Sequence, residues 1–116
     1  MEIKRGEIYY ADLGKLEKTQ VQKGLRPVAI VSNNVGNFYS PTVIVAPLTS
    51  KIKRQKLPTH TELTKDGLNG LEFNSMALLE QVTTIDKNNL KLKIGEICND
   101  DMIKIDKCLK ISLGLK

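Results

Sequence analysis

Eighteen residues are basic but only three of them are arginines, Arg5, Arg26 and Arg54. Arg26 sits where a side chain can do chemistry, directly before Pro27 and the apolar run Val28-Ala29-Ile30-Val31, at the entrance of a buried strand. Its rigid fork of N–H donors matches a phosphate, and it stays charged at ordinary pH. Two more polar points close apolar runs: the hydroxyl pair Thr49-Ser50, and Gln81. After Thr49-Ser50 comes Lys51-Ile52-Lys53-Arg54-Gln55-Lys56, four cations in six residues. Such a run attracts a polyanion or an acidic peptide, and it equally serves as a solvated loop. Arg26 likewise remains open to the plainer reading of an exposed residue flanking a proline.

Other chemistries are harder to build. Phosphate-cradling glycine loops are absent, which argues against a nucleotide-dependent enzyme. His60 is the only histidine, so no two-histidine acid–base pair can form within one chain; in Thr59-His60-Thr61 it is expected to be a hydrogen-bonded strand residue. Cys98 and Cys108 lie ten residues apart, mostly in helical pattern. That spacing is roughly 15 Å, beyond the roughly 7 Å reach of a disulfide, so reduced thiols are expected. Adjacent Asp100 and Asp101 fall in a first helical turn, where carboxylates complement the helix dipole. No metal site and no cofactor are expected.

The elements that must position these residues read as mostly β. The 116 residues (13.0 kDa) fit a single domain spanning 1–116. A hydrophobic fraction of 41% against 27% charged residues is too apolar for disorder, and no apolar run approaches the roughly 18 residues of a membrane span. The amino terminus lacks an apolar signal core, so a cytoplasmic protein is expected. Strands are predicted at 7–13, 26–32, 42–48, 59–63, 75–82 and 90–94, with a long loop over 14–25 and another over 33–41. From Asn99 the apolar period changes to three and four, through Met102, Ile105, Leu109 and Leu113, with Gly114 closing a helix. The expected fold is mainly β, a small curved antiparallel sheet or partly open barrel with a C-terminal helix. The net charge of +5 belongs to the first half: residues 1–58 hold ten basic and four acidic side chains, residues 59–116 eight and nine.

A series of short motifs in order along nearly the whole chain resembles the MazF/PemK-type toxins of type II toxin–antitoxin pairs. It runs from Lys4-Arg5-Gly6-Glu7-Ile8-Tyr9-Tyr10-Ala11-Asp12-Leu13 through Gly24-Leu25-Arg26-Pro27 and Ser40-Pro41-Thr42-Val43-Ile44-Val45-Ala46. Leu48-Thr49-Ser50, Lys56-Leu57-Pro58-Thr59-His60, Leu78-Leu79-Glu80-Gln81-Val82 and Thr84-Ile85-Asp86-Lys87 follow, closing on Ile111-Ser112-Leu113-Gly114-Leu115. The resemblance, to the Gram-positive-type members most of all, implies an SH3-like barrel of the MazF, CcdB and Kid type. It also implies a homodimer, and a metal-independent endoribonuclease (mRNA interferase) cutting single-stranded RNA to 2′,3′-cyclic phosphate and 5′-hydroxyl ends. An acidic antitoxin would neutralise it. Carried onto this sequence, the catalytic pair is Arg26 and Thr49, and RNA contacts fall to Gln22, Asn37, Phe38, Ser50, Lys51, Lys53, Arg54, Lys56, Gln81 and Thr84.

The chain also departs from the family pattern. Relatives often carry Ser-Glu-Gln where Gln20-Val21-Gln22 stands, and arginines where Phe38, Thr83 and Asn89 stand. A carboxylate base is therefore missing before Gly24, and the bases read are in doubt; a U-rich pentamer containing ACA is the expectation from the resemblance. Phe38 and Tyr39 could stack on an unpaired base or pack against protein. Two other functions stay open: a CcdB-like topoisomerase poison acting through the C-terminal helix, and an RNA-binding barrel without catalysis.

Overall fold

The computed structural model describes residues 2–15, 20–52 and 57–116. Seven strands and two helices follow in the order β1 (Glu7–Asp12), β2 (Leu25–Ile30), α1 (Asn34–Tyr39), β3 (Thr42–Thr49), β4 (His60–Leu63), β5 (Ser75–Leu78), β6 (Thr83–Asp86), β7 (Leu90–Glu96) and α2 (Asn99–Leu113). All pairings are antiparallel, in the order β4-β5-β3-β2-β1-β7, with β6 also on β3. β3 is the hub: Thr42 to Val45 pair with β6, while Leu48 and Thr49 pair with β5. Pro47 lies in the gap between these two ladders, where its missing N–H leaves no partner on that side unserved. The sheet is open, and its register shifts twice between β1 and β7.

Alternation along the strands builds a core on each face. Ile8, Ala29, Ala46 and Leu48 point toward α2 and meet Ile105 and Cys108, while Tyr9, Val28, Ile30 and Val45 form the core on the opposite face with Val43 and Ile85. α2 carries Asp100 and Asp101 in its first turn and ends at Gly114 in the left-handed conformation (φ 69°). It is pinned at three points. Arg5 reaches Asp106 (2.6 Å) and the Val31 carbonyl (2.9 Å), the Cys108 thiol points at the His60 carbonyl (3.6 Å), and Ser112 Oγ donates to the Leu79 carbonyl (2.9 Å).

Two expectations are corrected. The 33–41 stretch holds a short helix, because the Asn33 side chain accepts from the Gly36 N–H and caps it. The predicted 75–82 strand breaks after Leu78 into a 3-10 turn over Leu79–Gln81, and β6 follows as a separate strand on β3. Among the described residues no helix is long and apolar enough to cross a membrane.

Candidate active site

A cleft of about 420 Å³ opens where β2, β3 and β5 converge, and Arg26, Thr49, Ser50, Lys51, Gln22 and Gln81 all line it. The register explains the first two. The β2–β3 ladder ends at the pair Val28 and Pro47, and Arg26 and Thr49 each lie two residues beyond it on these neighbouring strands, at the same end of the ladder.

Arg26 is held from its own side of the cleft. Its Nε donates to the Lys23 carbonyl (2.9 Å) and Nη1 donates to Gln22 Oε1. Among the described residues no acceptor takes its remaining Nη donors. Burial lowers the guanidinium pKa from its ordinary value, since desolvation disfavours the charge. Thr49 is nearly buried, and its Oγ1 accepts from the Lys51 N–H (3.1 Å). That arrangement leaves the hydroxyl proton to donate. A cationic fork and a hydroxyl donor thus face one space, an arrangement suited to a phosphodiester.

The same cleft holds a pair that no sequence spacing signalled. His60, at the start of β4 with its side chain 6% exposed, accepts the Leu57 N–H at Nδ1 (3.2 Å). The proton therefore sits on Nε2, which donates to Glu80 Oε2 at 2.7 Å. Thr59 Oγ1 donates to the other carboxylate oxygen (3.2 Å). His60 is thus the hydrogen-bonded strand residue expected, and it also orients a carboxylate lining the cleft. The only trace in the sequence was Glu80 standing next to Gln81. Tyr10 and Phe73, also on the cleft wall, were not singled out either.

Other expected contacts fall elsewhere. Asn37, an expected RNA contact, is 1% exposed and bonded to Ser32, donating from Nδ2 to the carbonyl (2.9 Å) and accepting from the hydroxyl, and it lines neither this cleft nor its neighbour. Its amide braces α1 against the end of β2. Phe38 is 68% exposed on α1, its ring edge-on to Tyr39 with centroids 4.8 Å apart, and lines neither this cleft nor its neighbour. Thr84 faces a second cavity of about 330 Å³ that shares Gln22 and Gln81 with the first. Lys53, Arg54 and Lys56 lie outside the described residues. Among the described residues, no three His, Cys, Asp or Glu side chains group to hold a metal.

A family model described as PemK-like, MazF-like toxin of type II toxin–antitoxin systems matches residues 4–113. An endoribonuclease in complex with its cognate antitoxin, from a mycobacterial species, is 29% identical with a TM-score of 0.80, over 98% of this chain and 97% of that one. A second mycobacterial endoribonuclease is 27% identical, with a TM-score of 0.77 and coverage of 99% and 94%. MazF from Deinococcus radiodurans shares the fold at 18% identity, with a TM-score of 0.82 and 99% of each chain covered.

Proposed function

The chain belongs to the PemK-like, MazF-like toxin family of type II toxin–antitoxin systems, and from that premise we propose that it is a sequence-specific endoribonuclease acting on single-stranded RNA without a metal. The observation that carries this reading is that Arg26 and Thr49, from the neighbouring strands β2 and β3, line one cleft. In the proposed reaction the 2′-oxygen bonds to the adjacent phosphorus and the bond to the 5′-oxygen breaks, leaving a 2′,3′-cyclic phosphate and a 5′-hydroxyl. The 2′-hydroxyl proton passes to Glu80, a carboxylate oriented by His60 and Thr59. Arg26 and Thr49 hydrogen-bond the non-bridging oxygens as negative charge gathers there, and the leaving oxygen takes up a proton from solvent beside the guanidinium. Glu80 supplies the carboxylate that the Gln20-Val21-Gln22 segment lacks.

Lys51 lines the cleft, and the basic run that follows it in the sequence carries the charge that flanking phosphates would attract. The same charge suits an acidic antitoxin, and the mycobacterial relative bound to its antitoxin supports such a partner. A homodimer and a cytoplasmic setting belong to the same reading.

Purified protein incubated with a long RNA in excess EDTA tests it, with 5′ ends mapped and cyclic phosphate assayed. Discrete cuts at a shared short sequence are expected, reduced by about 10³-fold in Arg26→Ala and about 10²-fold in Thr49→Ala. Folded, antitoxin-free protein that leaves the RNA intact would return the function to a topoisomerase poison or an inactive RNA binder.

A further inference from the structure

We propose that Gln81 is a positioning residue for Arg26, a strap that holds the arginine's support in place, and not a contact that reads RNA. Both ends of its amide are engaged by protein. Oε1 accepts the Gln22 N–H at 2.9 Å, and Nε2 donates to the Gln20 carbonyl at 3.1 Å. The side chain thereby clips the 20–22 backbone from two directions, 59 and 61 residues away in sequence. Gln22, fixed by its own N–H, turns its side-chain oxygen to Arg26 Nη1, and the next carbonyl, that of Lys23, takes Arg26 Nε.

The anchor of the strap is itself fixed. Gln81 ends the 3-10 turn over Leu79–Gln81, and α2 holds the first residue of that turn through the bond from Ser112 to the Leu79 carbonyl. The path therefore runs from helix to turn to Gln81 to Gln22 to the guanidinium, through hydrogen bonds at Ser112–Leu79, Gln81–Gln22 and Gln22–Arg26 and through the covalent backbone of the turn between Leu79 and Gln81. Gln81 also forms the wall shared by the two cavities, so the strapped segment stands as a partition between them. An amide held at both ends by the 20–22 backbone keeps only one N–H and one lone pair for a base edge, and its plane is already fixed by protein, whereas a guanidinium displaced by about 1 Å loses much of its effect on a transition state.

The position of Arg26 follows from the hydrogen bonds; its catalytic consequence rests on the endoribonuclease reading, and the two are tested separately. With three arginines in the chain, the Nε–H resonance of Arg26 can be assigned in ¹⁵N-labelled protein by its loss in Arg26→Ala. In the unsubstituted protein it should exchange slowly with solvent, and in Gln81→Ala it should exchange at least about fivefold faster while the amide spectrum of the sheet is kept. Unchanged exchange would overturn the strap whether or not the protein cuts RNA. A protein that shows the exchange effect and cuts no RNA would uphold the strap and overturn the function. In cleavage of an oligonucleotide built around a mapped site, Gln81→Ala should lower kcat about tenfold with KM within about twofold and the cut sequence unchanged. Adding Gln22→Ala to Gln81→Ala should cost less than about a further twofold, since both act through one path. A rise in KM with kcat kept, or a changed cut sequence, would make Gln81 an RNA contact and overturn the proposal.

Discussion

The two rims of the cleft are held by different physics. On the Arg26 side, the 20–22 segment is clipped by side-chain amides, Gln81 to its backbone and Gln22 to the arginine. On the far side, the loop between β4 and β5 that carries Leu71, Glu72 and Phe73 into the cleft is locked by close packing. A Cβ on Gly70, at φ 67°, would lie 1.8 Å from the Ile94 carbonyl oxygen, and one on Gly95 would lie 2.3 Å from the backbone of Asn69. Buried Asn69 ties the loop to itself, donating to the Thr64 carbonyl (2.9 Å) and accepting from the Asp66 and Leu71 N–H groups. The Glu96 N–H seals it to β7 through the Leu68 carbonyl (3.0 Å). One rim is a wall set by excluded volume, which has no alternative arrangement nearby. The other is set by exchangeable hydrogen bonds worth about 1 kcal/mol each, so its geometry can yield without the fold yielding.

Substitutions can break this contrast. Gly95→Ala or Gly70→Ala should cost at least about 3 kcal/mol in urea denaturation, because backbone cannot step aside for the new methyl group. A cost below about 1 kcal/mol would mean the packed rim is as yielding as the other. Asn69→Ala should follow at about 2 kcal/mol by leaving buried backbone groups unpaired, again measured by denaturant midpoint. Gln22→Ala should cost under about 1 kcal/mol of stability while lowering cleavage severalfold, the reverse signature of Asn69→Ala. A loss of stability equal to that of Asn69→Ala would remove the distinction between the rims.

The smallest effect concerns pH. Burial raises the pKa of the Tyr9 hydroxyl and the Cys108 thiol, and hydrogen bonds to Glu7 and Glu96 raise that of the Lys93 ammonium, although Lys93 is partly exposed and solvent screens it. Each folded group keeps its proton to higher pH than the unfolded chain does. Stability from them is therefore full at neutral pH and falls as the pH climbs through the thiol, phenol and ammonium ranges. Urea midpoints should be flat from about pH 6.5 to 8 and decline above about pH 9. A midpoint that rises above pH 9 would contradict the sign.

Legibility from sequence followed the range of the interactions. The strands at β1, β2 and β3 and the helix α2 were readable within a residue or two, since apolar period, Pro27 and Gly114 are local signals. The α1 helix was missed because Asn33, a cap, looks like any loop asparagine until its bond to Gly36 is seen. The break after Leu78 was missed because Leu79 continues the apolar run; only the turn's packing against α2 bends it away. Arg26 and Thr49 stood out by type and position, and the family resemblance paired them. The roles of Asn37 and His60 were decided by partners that spacing does not announce, Ser32 for one and Glu80 for the other.

By itself the sequence determined a small β domain with a closing amphipathic helix, an arginine at the mouth of a buried strand, a hydroxyl pair at the end of another, and a positive first half. These follow from side-chain type and near-neighbour period, which act over a few residues. Tertiary structure alone decided that Arg26 and Thr49 share one cleft, that His60 bonds Glu80 in the same space, and that Gln81, an expected RNA contact, is hydrogen-bonded to the backbone of residues 20–22. Antiparallel register joins residues tens of positions apart, and a hydrogen bond between two amides depends on where the backbone has placed them.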